Sequence, residues 1–360
     1  MLYFFRPTMR LFTVISLFLT YGYVAQTVGA QTVNFFSKGT ATSIRAADIR
    51  SIKFGTKITV SNTVSSSTSS YEFSAVDSIT VTPVTTASLA FDVTRLPFGD
   101  AKILRRDRGQ TQPVLGSLWL CAVPANGTGN SNARDWTNSD GTWDFTRKPT
   151  VDGSVMLPSV FTVTLDASGN RVITTNSLPS TPTGVFPIDP SSIAYRYDRN
   201  PNGIEPHTMT YILPVLPQVA ARPSCLTFGP SGISLAGGHI YHASSTLATD
   251  ASAYEMLDKS GGQPDGTKMY HYHFLTQNHL NALDPGGSGH SALMGYMNDG
   301  FGIYGPRGEN GTILSSKDLD ECHGHTHPVL WDGKMVNLYH YHWTYDFPYN
   351  IACYKGTPKY

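Results

Sequence analysis

Apolar and polar residues alternate near the start of the chain. Between Ile52 and Val60 every second side chain is suited to one face of a strand, and the β-branched run Ser78–Thr82 repeats this period. A period of two predicts β-strands. Serine and threonine fill Ser61–Ser70, a composition typical of a solvated loop or hairpin tip. We therefore predict a small β-rich N-terminal module at residues 31–110, interpreted as a packing or spacer domain.

The pattern changes after about residue 110. Clusters of glycine, proline and small polar residues, such as those at 179–184 and 284–289, separate short apolar and aromatic segments. Such frequent glycine- and proline-rich clusters disfavour long helices, and the best helical candidate, Ala248–Leu257, is short. Residues 111–360 are predicted to form one mainly β domain, a sandwich or barrel with long loops.

The first 30 residues have the features of a secretory signal peptide. Arg6 and Arg10 form a basic region near the N-terminus, and the apolar run Leu11–Leu19 follows it. Small residues at 28–30 suit cleavage. The apolar run is shorter than the roughly 20 residues that a spanning helix needs. We expect no transmembrane anchor and a secreted or extracellular mature protein that begins near Gln31.

Four cysteines agree with export, because an even number in an exported chain usually forms disulfides. Three pairings are possible, and we favour Cys121 with Cys225 and Cys322 with Cys353. Cys322 stands next to His323, so a thiolate metal ligand is the alternative at that position. An oxidising compartment disfavours that alternative.

Composition narrows the possible functions. The 26 basic and 26 acidic residues give a net charge of zero, without the basic excess typical of nucleic-acid binding. Hydrophobic residues make up 40% of the chain, which is enough to bury a core and excludes disorder of the whole chain. Asn126 and Asn310 each begin an Asn-Gly-Thr sequon and are candidate glycosylation sites.

All twelve histidines lie between His207 and His342, and many recur at alternate positions. The tetrapeptide Tyr-His-Tyr-His occurs at 270–273 and at 339–342, and a third cluster spans 322–327. On a strand, each tetrapeptide would place two imidazoles on one face and two tyrosines on the other. With a third ligand from a neighbouring strand, such a pair can hold a metal ion. Alternatively, the imidazoles simply hydrogen-bond within an aromatic-rich sheet.

Residues 203–356 resemble the YHYH-domain proteins, a family of secreted or exported proteins named for this tetrapeptide. Besides the two tetrapeptides, matching stretches occur at 202–207, 290–296, 299–306, 319–325 and 347–349. Gly302 and His323 depart from the family pattern, which usually has proline and often asparagine there. The resemblance implies location and a shared histidine-rich site rather than a reaction.

The candidate metal ligands share a place in these histidine clusters. They are His271, His273, His325, His340 and His342, with His323, His327 and His290 as further candidates. Three carboxylates could orient a ligating imidazole, namely Asp299, Asp320 and Glu321. Imidazole-rich ligand sets suit copper or zinc. Structural roles are expected for most of His207, His239 and His242.

Three functions are consistent with these features. The leading one is a secreted protein that binds copper or zinc through both tetrapeptides and His325. The second is a metal-dependent enzyme, a hydrolase or a copper oxidoreductase, whose ion keeps an open coordination position. The third is a structural extracellular or surface protein without a metal, whose N-terminal module attaches to a matrix or surface partner. No catalytic residue is assigned.

Overall fold

The computed structural model describes residues 31–37, 40–45, 49–54, 57–62, 68–72, 78–83, 91–125, 134–285 and 289–359. The chain divides into two compact units, Met1–Ala90 and Phe91–Tyr360. The predicted signal peptide lies outside the described residues. The prediction of a mainly β chain is confirmed.

The described part of the first unit contains six strands in two antiparallel sheets. The strands are β1 (Gln31–Ser37), β2 (Thr40–Arg45), β3 (Ile49–Phe54), β4 (Lys57–Asn62), β5 (Thr68–Glu72) and β6 (Ser78–Pro83). One sheet has the order β2-β1-β6 and the other β3-β4-β5. Because β3 pairs with β4, the alternating run at 52–60 forms two antiparallel strands rather than one. The Ser/Thr tract includes paired ends of β4 and β5, and residues 63–67 lie outside the described residues.

The second unit begins earlier than the sequence analysis placed it. Residues 91–110 belong to this unit, because two of their short strands pair with partners further along the chain. These pairs are β7 (Leu96–Pro97) with β10 (Thr142–Trp143), and β8 (Ile103–Arg105) with β9 (Leu118–Leu120). Leu96, Leu118 and Trp143 are buried in the core.

The remaining strands of the second unit form a three-stranded and an eight-stranded sheet. They are β11 (Phe161–Leu165), β12 (Asn170–Thr175), β13 (Met209–Pro214), β14 (Gly232–Ser234), β15 (His239–Ile240), β16 (Gly262–Pro264), β17 (Tyr270–Tyr272), β18 (Leu293–Met297), β19 (Gly302–Tyr304), β20 (Gly324–Trp331) and β21 (Lys334–His342). The described α-helices are α1 (Ala251–Tyr254) and α2 (Gln277–Leu283). Short 3-10 helices occur at Asp100–Lys102, Arg106–Arg108, Ile193–Arg196, Glu309–Gly311 and Ser316–Asp318.

The eight-stranded sheet consists of two similar halves. Its order is β16-β17-β15-β14-β18-β19-β21-β20, so β14–β17 form one half and β18–β21 the other. We call them the first half and the second half. In each half an antiparallel pair is followed by a parallel pair and then by another antiparallel pair. The two halves meet where β14 pairs antiparallel with β18, which is the arrangement that a two-fold axis produces.

The strand register matches this symmetry residue by residue. Tyr272 is paired with Ile240 and Gly262 in the first half, and Tyr341 is paired with Ile303 and Gly324 in the second. The register therefore makes the two Tyr-His-Tyr-His segments equivalent. By the same register, Gln263 opposite His271 corresponds to His325 opposite His340.

A carboxylate anchors the first tyrosine of each tetrapeptide. The Asp258 carboxylate accepts hydrogen bonds from the Tyr270 hydroxyl and from the Ser260 and Gly262 amides. In the second half, the Asp320 carboxylate accepts them from the Tyr339 hydroxyl and the Cys322 and Gly324 amides. Buried hydroxyls need such partners. The tyrosines therefore fix the tetrapeptide strands to the fold.

The predicted disulfide pairing is confirmed. Cys121 is bonded to Cys225, and Cys322 is bonded to Cys353. Their Cα atoms are 5.0 and 4.5 Å apart, within the usual range for a disulfide. Because Cys322 is in a disulfide, it is not the thiolate metal ligand considered as the alternative.

Candidate metal centre

Five imidazoles converge in the second half of the sheet. One ring nitrogen from each lies within 4.8 Å of the corresponding atom of every other, and the residues are His290, His325, His327, His340 and His342. We call this group the five-histidine cluster. His290 and His327 were further candidates in the sequence analysis, and both belong to the cluster.

The β20–β21 hairpin accounts for four of the five positions. Trp331 pairs with Lys334, which leaves Asp332 and Gly333 as a two-residue loop with φ of 48° and 77°. An Asp-Gly loop with both φ values positive is favoured for tight hairpins and sets the strand register. That register places His325 opposite His340. Alternate residues on each strand, His327 and His342, then share the same face.

Backbone carbonyls orient most of the rings through their Nδ1 atoms. A ring nitrogen that faces a carbonyl oxygen must carry the proton, which leaves the Nε2 atom with a lone pair. The Nδ1–carbonyl distances are 2.8 Å for His290 to Ser291, 3.0 Å for His327 to Pro328, 2.9 Å for His340 to Leu338 and 2.7 Å for His342 to Gly305. The backbone thus aims at least four Nε2 lone pairs inward.

The Nε2 atoms of the cluster lack the protons that they would need to form hydrogen bonds with one another. The His325 Nε2 atom is 3.1 Å from that of His342 and 3.0 Å from that of His327. Even a proton on His325 Nε2 could be donated to only one of these neighbours. The buried Nε2 atoms of His290 and His340 have no hydrogen-bond partner among the described residues. Buried polar atoms normally have partners, and a cation would satisfy all five.

Burial favours the neutral form of the His325, His340 and His342 rings. Desolvation, reinforced by neighbouring imidazoles, lowers the pKa of His325 to about 4 and the pKa of His340 to about 2. The same causes hold the pKa of His342 well below its ordinary value. A neutral imidazole is the form that binds a metal ion. These three rings can therefore act as ligands at neutral pH without first losing a proton.

The dimensions of the cluster suit a single ion. Two nitrogens bound to one ion at about 2.0–2.1 Å are at most about 4.2 Å apart, so the span of 4.8 Å requires shifts of only a few tenths of an ångström. His340 and His342 are buried, whereas His290, His325 and His327 are partly exposed. The cluster therefore combines two buried residues with three that are partly exposed.

The other tetrapeptide does not contribute to this cluster. His271 belongs to β17, and His273 directly follows that strand. Four strands separate β17 from β21, and five spacings of about 4.8 Å amount to about 24 Å. The expectation that one ion is held by both tetrapeptides with His325 is therefore wrong. Sequence spacing cannot show which strands become neighbours.

His323 is also outside the five-histidine cluster. Its backbone has φ of 76°, and its Nε2 atom lies 2.9 Å from the Thr344 hydroxyl oxygen in the buried interior. The equivalent residue in the first half is Gly261, with φ of 85°. A positive φ turns this residue out of the extended alternation predicted for 323–327. His323 therefore has a structural hydrogen bond in place of the predicted ligand role.

The three predicted orienting carboxylates contact other groups. Asp299 accepts hydrogen bonds from the Tyr341 hydroxyl at 2.6 Å and from the Gly356 amide. Asp320 anchors Tyr339 as described above, and Lys355 forms ion pairs with both Asp320 and Glu321. These carboxylates orient tyrosines or pair with lysine, while backbone carbonyls orient the cluster imidazoles.

Two further predictions concern single residues. His239 lies between the Tyr211 hydroxyl at 2.7 Å and the Ser177 hydroxyl at 2.9 Å, in keeping with the structural role expected for it. Of the glycosylation candidates, Asn126 lies outside the described residues, and Asn310 belongs to the 3-10 helix Glu309–Gly311. Glycosylation stays a prediction.

Comparisons of the chain with protein-family models, with curated proteins and with solved structures found no match. The resemblance to the YHYH-domain proteins therefore stays a prediction. Within the described residues, no helix combines the length and the apolar character needed to cross a bilayer.

Proposed function

We propose that this is a secreted protein that binds one copper or zinc ion at the five-histidine cluster. The observation that carries the proposal is the convergence of the Nε2 atoms, most of which are left with lone pairs by their Nδ1–carbonyl contacts. A metal ion is the ligand that several converging neutral imidazoles fit best. Imidazole favours copper, zinc, nickel or iron over magnesium and calcium.

Secretion is the second part of the proposal. Two disulfides are compatible with an extracellular protein, because disulfides persist in oxidising compartments. The sequence pattern of the first 30 residues supports the same destination. The partly exposed rings of His290, His325 and His327 would give an ion in the surrounding medium a route to the cluster.

Removal of the two partly exposed ligands on β20 tests metal binding with little risk to the core. The double variant His325→Ala/His327→Ala should bind one ion fewer per chain than the unaltered protein, because the three imidazoles that stay are one fewer than a closed four-coordinate site needs. Both proteins would be equilibrated with micromolar zinc or copper, dialysed and measured by elemental analysis. A matched control is His207→Ala, because His207 is also partly exposed but lies outside the cluster.

The control should keep the metal content of the unaltered protein. Equal metal content in the double variant and in the unaltered protein would contradict the proposal. Circular dichroism on the same samples verifies that both variants fold.

A further inference from the structure

The first half of the sheet places a second pair of imidazoles in the same setting as the cluster. The Nε2 atoms of His271 and His273 are 3.0 Å apart, and both rings are buried. By strand register, these residues correspond to His340 and His342. The first half has a different group where the second half has His325.

The carbonyl contacts of this pair also repeat. The Nδ1 atom of His273 lies 2.8 Å from the His242 carbonyl oxygen, and that of His271 lies 3.3 Å from the Met269 carbonyl oxygen. The corresponding contacts in the second half go to Gly305 and Leu338. With protons on both Nδ1 atoms, two Nε2 lone pairs face each other. A shared cation relieves that repulsion.

A carboxylate lies beside this pair. The Glu255 Oε2 atom is 3.6 Å from the His273 Nε2 atom. The Gln263 side-chain amide donates a hydrogen bond to the same oxygen, and Gln263 occupies the position equivalent to His325. The first half therefore positions a buried carboxylate where the second half supplies another imidazole. Two histidines and one carboxylate form a known type of zinc ligand set.

We propose that His271, His273 and Glu255 form a second metal site, separate from the five-histidine cluster and selective for a divalent ion such as zinc. The proposal does not depend on metal binding by the cluster, because none of the three residues belongs to it. Gln263 positions the Glu255 carboxylate through its hydrogen bond. Binding would draw the carboxylate and the imidazoles together around the ion, since zinc–ligand distances are about 2.0–2.2 Å.

The surroundings are compatible with a bound cation. The Lys148 ammonium donates a hydrogen bond to the Glu255 backbone carbonyl, and its positive charge acts on His273. Three carboxylates also act on the site electrostatically, namely Asp198, Asp250 and Asp265. A divalent ion would be a favourable partner for this group of neighbouring carboxyl groups.

Glu255→Gln is the direct test, because it keeps the shape of the side chain and removes the anionic ligand. Each protein would be refolded with zinc, dialysed and measured by elemental analysis. The unaltered chain should hold two zinc ions, Glu255→Gln one, and His325→Ala/His327→Ala one. Asp198→Asn is the matched control, because it removes a neighbouring, partly buried carboxyl group while leaving the three ligands in place, and it should hold two.

The four measurements separate the two proposals. If only the cluster fails to bind, the unaltered chain holds one ion, Glu255→Gln holds none, and the His325→Ala/His327→Ala variant still holds one. The second site is overturned if Glu255→Gln holds as much zinc as the unaltered chain, or if the His325→Ala/His327→Ala variant holds none. Absorption of bound cobalt(II) gives an independent readout, since Glu255→Gln should lose only the spectrum assigned to this site.

Discussion

The two halves of the eight-stranded sheet share their framework and differ in the groups around their histidine pairs. Both halves have the same strand order and register, the same Asp–Tyr anchor and the same Nδ1–carbonyl contacts. The second half adds three more imidazoles, whereas the first half has Gln263 and the Glu255 carboxylate. The shared features maintain the fold, and the differing features define the ligand set.

The difference also separates the roles of the two residue types in the tetrapeptide. The tyrosines contact structural partners in both halves, including Asp258, Asp320 and Asp299. The histidines present Nε2 atoms to one another in both halves. A tetrapeptide that alternates the two therefore attaches the strand on one face and offers ligands on the other.

The largest predicted effect concerns the shared framework. Asp258→Ala and Asp320→Ala should each lower the free energy of unfolding by about 3 kcal/mol or more, since each leaves a tyrosine hydroxyl and two amides without their acceptor. The loss should be greater at Asp258, because Asp258 is buried and also accepts from the Gly184 amide. Urea unfolding measures both values.

Asp189→Ala is the control for this pair of variants. Asp189 is an exposed aspartate that bonds only within its own turn among the described contacts, so its substitution should lower stability far less than either of the other two. A similarly small loss of stability in either Asp258→Ala or Asp320→Ala would contradict the proposed similarity of the two halves, because the Asp–Tyr anchor would then not stabilise both of them.

A smaller effect concerns pH and a histidine outside both sites. Burial lowers the pKa of His279 to about 3 from an ordinary value of 6.5. Below pH 6.5 the unfolded chain takes up a proton here that the folded chain does not, so stability falls as the pH falls. At pH 5 this amounts to about 2 kcal/mol. His279→Phe preserves an aromatic ring against Tyr272 and should remove that part of the loss.

Urea unfolding at pH 7 and pH 5 tests this prediction on the metal-free protein. The buried carboxyls of Asp250 and Asp258 act in the opposite sense, because burial raises the pKa of Asp250 to about 7 and that of Asp258 to about 6. Both contributions are common to the two proteins and cancel in the difference. The free energy of unfolding could instead change equally between pH 7 and pH 5 in His279→Phe and in the unaltered chain. That result would contradict the prediction, because His279 would then not differ in protonation between the folded and unfolded states.

The smallest predicted effect is a difference in the rate of metal loss. The cluster includes three partly exposed rings, whereas His271, His273 and Glu255 are all buried. A chelator should therefore remove the cluster ion first, and the first-half ion at least about tenfold more slowly, because its release requires local opening. Stopped-flow mixing of zinc-loaded protein with a coloured chelator should show two phases, and Glu255→Gln should lose the slow one. A single phase in the zinc-loaded unaltered chain would contradict the difference in access.

Much of the fold and part of the site follow from the sequence. Alternation predicted β structure, and the even number of cysteines predicted disulfides, but the sequence left three pairings possible and only the structure decides among them. Alternate histidines predicted shared faces, as His325 and His327 show. What the sequence could not supply was the strand order that separates His273 from His342. Glu255 was missed because its contact with His273 bridges 18 positions and has no spacing signal.

One signal in the sequence would have revealed the symmetry. Asp258 stands five positions before Gln263, as Asp320 stands five positions before His325, but the segment that leads on to the tetrapeptide is seven residues longer in the second half. The match is difficult to recognise because the second half has a longer hairpin, β20–β21, than its counterpart β16–β17. Short strands carry few side chains, so the repeat is clearer in hydrogen bonds than in residue identities.

The central claim is that the five-histidine cluster binds a transition-metal ion. Anomalous diffraction at the zinc or copper absorption edge, on crystals of the metal-loaded full chain, tests it most directly. We predict an anomalous peak about 2.0–2.2 Å from the Nε2 atoms of at least four of the five residues of the cluster. An ordered, unprotonated cluster without such a peak, in protein saturated with either metal, would contradict the claim.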